Sequence, residues 1–119
     1  VVAAGFVIGG AFHLRDIVAG GWMPYRFAPD AMNLFWTMLL PLDLIAAGLI
    51  LWRPGRRMGV VLGLAIMAAD LGVNGHAWGQ MGIAAFGPAL TIQGAFALLL
   101  AAWAPSLWHS ASTSPISRA

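Results

Sequence analysis

The sequence predicts an all-α polytopic membrane protein: a bundle of four transmembrane helices, arranged as two tandem helical hairpins. Three observations carry that prediction. Of 119 residues, 61% are hydrophobic and only 8% are charged, whereas an ordinary soluble domain carries about 25% charged residues. Four apolar stretches approach the roughly 20 residues that a helix needs to cross a hydrocarbon core of about 30 Å. Most of the arginines sit between or after those stretches rather than within them. A disordered chain is excluded by the same composition, because disordered chains are polar and poor in aromatics. The chain has no Cys, Lys or Glu. That removes disulfides, thiolate metal sites and cysteine nucleophiles. Six basic residues against four acids, scattered along the chain, make no nucleic-acid surface.

The expected elements follow in order. A first span covers about residues 1–18. It reaches His13, Arg15 and Asp16 after twelve apolar or small residues, and residues 1–12 show neither the basic region nor the small-residue cleavage site of a secretory signal. The second span covers about residues 31–52, the third about 58–74 and the fourth about 88–103. Together they make one transmembrane domain over residues 1–104. Residues 105–119, rich in Ser and holding Pro105 and Pro115, are expected to form a flexible cytoplasmic tail.

Orientation is read from the arginines. Arg53, Arg56 and Arg57 crowd the turn between the second and third spans, and Arg118 lies in the tail, while the connection between the third and fourth spans has no basic residue. The positive-inside rule then places that turn and both termini in the cytoplasm, in what is expected to be a bacterial cytoplasmic membrane. Aromatic residues agree. Trp52, Trp103 and Trp108 fall at the inner interface, with Trp22, Tyr25 and Trp78 at the outer one.

A repeat relates the hairpins. Gly5, Gly9 and Asp16 match Gly59, Gly63 and Asp70 at an offset of 54, and Trp52 and Pro54 match Trp103 and Pro105 at an offset of 51. Such spacing implies a pseudo-twofold along the membrane normal. Gly5 and Gly9, like Gly59 and Gly63, form small-xxx-small seams that let helix backbones approach closely. Packing is therefore their expected role, with the two seams facing each other.

The ionisable residues point to a site. Asp43 lies ten residues before Arg53, about 15 Å from the inner interface, where an acid must face the bundle interior. Asn33, Trp36, Thr37, Leu40 and Asp43 share one sector of the second span, with Pro41 nearby. Asp70 and Asn74 are one helical turn apart. Thr91 and Gln93 point about 200° apart, so at most one of them joins the same pocket. The expected constellation is Asp43, Asp70, Asn74 and Gln93, with His13, Asp16 and Trp36 towards the outside. The competing reading is a set of interhelical hydrogen bonds, each worth about 0.6 kcal/mol.

No His pair at metal-ligand spacing occurs within a span. A lone His13 in a small-residue helix identifies no cofactor. Every Ser lies in the tail, so nucleophilic catalysis has no support. Three functions remain: transport of a small solute or binding of a lipophilic ligand at the buried acids; an accessory subunit of a larger energy-transducing or pigment-protein membrane complex; and an enzyme doing acid–base chemistry on a lipid-soluble substrate. The partners expected are the lipid bilayer and either copies of the same chain or the other subunits of such a complex.

Overall fold

The computed structural model describes residues 1–112. These form four long helices: α1 (Val2–Gly20), α2 (Asp30–Leu51), α3 (Arg56–Gly79) and α4 (Phe86–Ser110). Each is long and apolar enough to cross a membrane. At about 1.5 Å per residue, the 22 residues of α2 reach about 33 Å. In hydrocarbon the backbone has no water to bond, so a continuous helix is how these apolar segments satisfy their own N–H and C=O groups. Among the described residues there is no strand.

The helices run up and down in chain order. α1 packs on α2, α2 on α3 and α3 on α4, whereas α1 and α4 make the thinnest contact of the neighbouring pairs. One end of the bundle carries the tight α2–α3 turn and its arginines; the other carries the connections 21–29 and 80–85. We call these the arginine end and the loop end. α1 stops at Gly21, whose φ of 83° lies in the left-handed region that glycine adopts without cost. α2 opens on Pro29 and Asp30, a proline that cannot extend a helix backwards followed by an acid at the positive end of the helix dipole.

The α2–α3 turn is built by proline, glycine and arginine. Pro54 ends α2, and a single 3-10 turn (Arg53–Gly55) leads directly into α3. Gly55 is buried because the Trp52 ring lies 2.6 Å from where a Cβ would stand. Arg56 then caps the C-terminus of α2, its Nε donating to the Ile50 carbonyl at 2.6 Å. Its Nη1 also donates to Ser110 Oγ at 2.9 Å. Arg57 lies 5.2 Å from the Trp108 ring centroid, donates from Nε to the Trp108 carbonyl at 3.3 Å, and bonds Ser112 Oγ through Nη2. These contacts explain a departure from the sequence reading. α4 does not stop near residue 103 but continues through Pro105 to Ser110, because the two arginines hold its last turns against the α2–α3 turn. Residues 113–119 of the expected tail lie outside the described residues.

The helix α3 runs on past Asn74 to Gly79, carrying exposed His76 and Trp78. The glycine seams are arranged differently from the expectation that they face each other. Gly59 lies against the α2 backbone, its missing Cβ only 2.7 Å from Ile50 N. At Gly63 the Phe6 ring lies 2.9 Å from where a Cβ would stand, and at Gly5 the Phe96 ring fills the space that a Cβ would take. Gly9 leaves room for the Asp43 carboxyl, whose Oδ2 comes within 2.8 Å of the Cβ position. The offset of 54 residues preserved the glycines but not their partners, since α1 and α3 sit diagonally across the bundle.

Towards the arginine end the core is wholly apolar: Ala46, Ala47, Ile50, Val60, Ile66 and Leu100 are all at most 5% exposed. Phe6 and Phe96 meet edge to face at 5.1 Å and join α1 to α4 at this level. Above them the two helices separate, and the polar residues begin.

Candidate functional site

The polar half of the bundle is organised by α2. Asn33, Trp36, Thr37 and Asp43 are all buried on its inward sector, while Leu40 is half-buried and Pro41 faces outward. Thr37 Oγ1 donates to the Asn33 carbonyl one turn back, at 2.7 Å. Asn33 folds the first connection over the bundle. Its Oδ1 accepts from the Tyr25 backbone N–H, and its Nδ2 donates to the Met23 carbonyl, both at 3.0 Å. Met23 has a φ of 52°, a left-handed conformation costly for a non-glycine residue, and the Asn33 bond to its carbonyl helps to hold it.

Asn74 is the hub. The Trp36 indole N–H can only donate, and it does so to Asn74 Oδ1 at 2.7 Å. That fixes the amide orientation, so both Nδ2 hydrogens point the other way: one to Asp70 Oδ1 at 3.0 Å, one to Gln93 Oε1 at 2.8 Å. One amide thus links α2, α3 and α4 with every polar atom used. Asp70 and Asn74 are both buried, at 7% and 2% exposure. Thr91, the polar residue two positions before Gln93 on α4, is exposed and bonds its own helix at the Gly87 carbonyl.

His13 and Asp16 form a second cluster around Tyr25. The Tyr25 hydroxyl donates to Asp16 Oδ2 at 2.9 Å, and His13 Nδ1 lies 2.9 Å from the same hydroxyl. The phenol has one hydrogen and gives it to Asp16. His13 Nδ1 must then be the donor, which in a neutral ring leaves Nε2 as an acceptor. Burial raises the Tyr25 phenol above its ordinary range, and the Asp16 carboxylate beside it adds to the effect. Arg15 turns outward to pair with Asp16 at 3.2 Å and to lie over the Phe12 ring at 5.1 Å.

These groups surround a cavity of about 720 Å³ at the loop end, which reaches from Asp16, Tyr25 and Trp36 to Asp70, Asn74 and Gln93. A second cavity of about 360 Å³ continues between α1 and α4, bounded by Gly9, Phe12, Asp43, Asp70, Ile92 and Phe96. His13, Arg15, Asp70, Ala89 and Gln93 line both, so the two volumes adjoin. Ile8, Phe12 and Ile92 on the rim are exposed on the outside of the bundle. An aromatic wall covers the loop end. Trp36 stacks on Phe86 at 5.2 Å with planes 18° apart, and Tyr25 and Phe27 approach the indole at 5.5 and 5.9 Å.

The structure therefore joins Asp70, Asn74, Gln93 and Trp36 into one network, rather than leaving Trp36 on its outer side. It places His13 and Asp16 in a neighbouring cluster. Asp43 shares the cavity with Asp70 but makes no hydrogen bond to the network. Sequence reasoning missed Tyr25 as a member. The available signal was that Tyr25 is the sole tyrosine and lies nine residues from Asp16, across a connection containing two glycines and a proline. Phe86 and Phe96 carried no signal beyond composition. Among the described residues, no group of three His, Cys, Asp or Glu side chains is placed to hold a metal ion.

Fold and geometry together define a class, a multi-pass membrane protein built as a four-helix bundle with its polar residues gathered in one half. No family model, curated protein or solved structure matches the chain.

Proposed function

We propose that this protein binds a lipophilic small molecule, which reaches the polar cavity from the bilayer through the opening between α1 and α4. One observation carries the reading: the cavity has an apolar rim at the lipid-facing surface and a floor of hydrogen-bonding side chains. Its volume lies within the roughly 300–1,000 Å³ of small-molecule sites, which combine mostly apolar walls with a few placed polar groups. A molecule with an apolar body and a polar head fits both features.

Binding is favoured over conduction by where the polar lining ends. Beyond Asp43 the bundle is filled by Ala46, Ala47, Ile50, Val60, Ile66 and Leu100 towards the arginine end. A solute crossing the membrane through one copy of the bundle would have to part this packing. The arginine distribution supports a cytoplasmic arginine end, which puts the cavity in the outer leaflet.

The experiment is gentle extraction from the native membrane followed by intact-mass analysis. The expected result is a small lipid-soluble molecule retained by the chain and lost when Ile92→Trp fills the opening. A helix from another subunit is the competing occupant of that opening. A stable assembly in which such a helix crosslinks to the rim, with no small molecule retained, overturns the reading in favour of an accessory subunit.

A further inference from the structure

We infer that the ligand is an organic cation, an amine carrying N–H donors on an apolar and preferably aromatic body, with its head seated between Asp43 and Asp70. The inference rests on the cavity reading above and names the chemistry that the cavity selects.

Asp43 is the starting point. It is 6% exposed and lines the deeper cavity, and among the described residues no side chain or backbone group bonds its carboxyl. In a membrane-embedded bundle, an acid so placed needs a partner. Gly9 gives its Oδ2 room in this position, since a Cβ at residue 9 would stand 2.8 Å from it. No arginine of the described chain bonds it, and Arg15, the one arginine lining the cavity, is paired with Asp16.

The unused valences around the cavity are mostly acceptors. Asp70 spends Oδ1 on Asn74 and has Oδ2 left. Asp43 has both oxygens. Neutral His13, with Nδ1 turned to Tyr25, offers Nε2. Against these stand two donors: the Gln93 amide nitrogen, since Gln93 Oε1 is taken by Asn74, and the Arg15 guanidinium at the rim, which is 69% exposed and turned to Asp16. Between Asp43 and Asp70, a carboxylate ligand, or a carbonyl that only accepts, would find two acids and the Gln93 amide, with Arg15 held outward by Asp16. An ammonium group offers what the site lacks, both charge and N–H donors. The walls point the same way. Trp36, Phe86 and Phe27 line the loop end and Phe96 the other, so an aromatic or cationic body has aromatic side chains at both ends.

The test compares two probes of one shape on the full-length protein in lipid nanodiscs: para-phenylbenzylamine, cationic at neutral pH, and para-phenylbenzyl alcohol, its neutral counterpart. Binding is read by displacement of a tritiated sample of the amine and, for the alcohol, by direct calorimetry. Partitioning into protein-free nanodiscs is subtracted. The amine is expected to bind at least about tenfold more tightly than the alcohol. Asp43→Asn and Asp70→Asn should each weaken the amine by about tenfold while changing the alcohol by less than about twofold. Far-UV circular dichroism and elution volume verify that each variant is folded, and Asn is close to isosteric with Asp. Equal affinity for amine and alcohol, or amine binding indifferent to both substitutions, overturns the cation assignment and leaves the cavity reading standing. If neither probe binds, the cation assignment falls, and the mass of co-extracted lipid decides whether the cavity reading falls with it.

Discussion

Replacing Asn74 by Leu tests the hub of the polar network. The side chains are similar in size, so packing is largely kept while three hydrogen bonds disappear: Trp36 Nε1 to Oδ1 at 2.7 Å, and Nδ2 to Asp70 at 3.0 Å and Gln93 at 2.8 Å. Counted as ordinary interhelical bonds at about 0.6 kcal/mol each, the loss is about 2 kcal/mol. The three partners are not equivalent, however. All three partners border the cavity, but the carboxyl of Asp70 and the amide of Gln93 end flexible chains that can turn to water there, whereas the indole is fixed by its ring contacts. Trp36 is 3% exposed, and its N–H has no other acceptor in the network. Leaving that donor unsatisfied costs about 1–3 kcal/mol, and the total rises to about 2–4 kcal/mol.

The assay is reversible unfolding in mixed micelles with increasing dodecyl sulfate, followed by circular dichroism. Asn74→Leu is compared with Trp36→Phe and with the double variant. Because Trp36→Phe removes the stranded donor, the double variant should be more stable than the sum of the single losses predicts, with a coupling energy of about 1 kcal/mol or more. An Asn74→Leu protein within about 0.5 kcal/mol of the parent, or a cycle without coupling, refutes the assignment of Asn74 as the hub.

Other substitutions separate packing from chemistry. Gly59→Ala places a Cβ 2.7 Å from the α2 backbone and should destabilise by about 1–3 kcal/mol. Gly72→Ala, with nothing within 4 Å, should gain about 0.5–1 kcal/mol from helix propensity; the same unfolding assay must show opposite signs. Tyr25 is the sole tyrosine, so phenolate absorbance reports it alone. Its raised pKa means that its contribution to stability is complete below about pH 10 and declines as pH rises further. Folded protein should therefore show little phenolate at about pH 10, and alkaline destabilisation should weaken in Tyr25→Phe; an unperturbed titration contradicts the Asp16–Tyr25 contact. The cysteine-free chain allows a single Cys at Ile92 on the rim, and a bulky maleimide there should slow ligand exchange measured by dilution of labelled amine. Unchanged exchange would place the route elsewhere.

The four helices and the inward stripe of α2 were legible because hydrocarbon leaves a buried polar residue few places to go. Once Asn33, Trp36, Thr37 and Asp43 fall on one sector of an apolar helix, that sector faces the interior. Asp70 and Asn74 were legible for the same reason, and helical angles showed that Thr91 and Gln93 would not both join them. Contacts made across the bundle were not legible. Glycine spacing announces a close approach without naming what approaches, and here Gly63 meets Phe6, and Gly9 the carboxyl of Asp43, rather than another seam. Tyr25 reads as an interfacial aromatic until the connection folds back and places its hydroxyl between His13 and Asp16. Pro105 and the serines after it read as a tail, yet Arg56 and Arg57 supply tertiary bonds that local composition cannot announce.

The opening between α1 and α4 and the buried acid on α2 account for each other. If α1 closed on α4 along its whole length, Asp43 would be sealed beneath Gly9 without a hydrogen-bonding partner, at a desolvation cost of several kcal/mol. The bulk of Phe6 and Phe96, packed edge to face, holds the helices together at one level only and leaves the space above them open. Gly9 then gives the carboxyl its room, and the cavity gives it access to water or to a ligand head. A scaffold whose only task was to pack would need none of these: an alanine at residue 9 and a leucine at residue 43 would close the bundle more cheaply. On the reading proposed above, a bound ligand head would offset what burying this acid costs the fold.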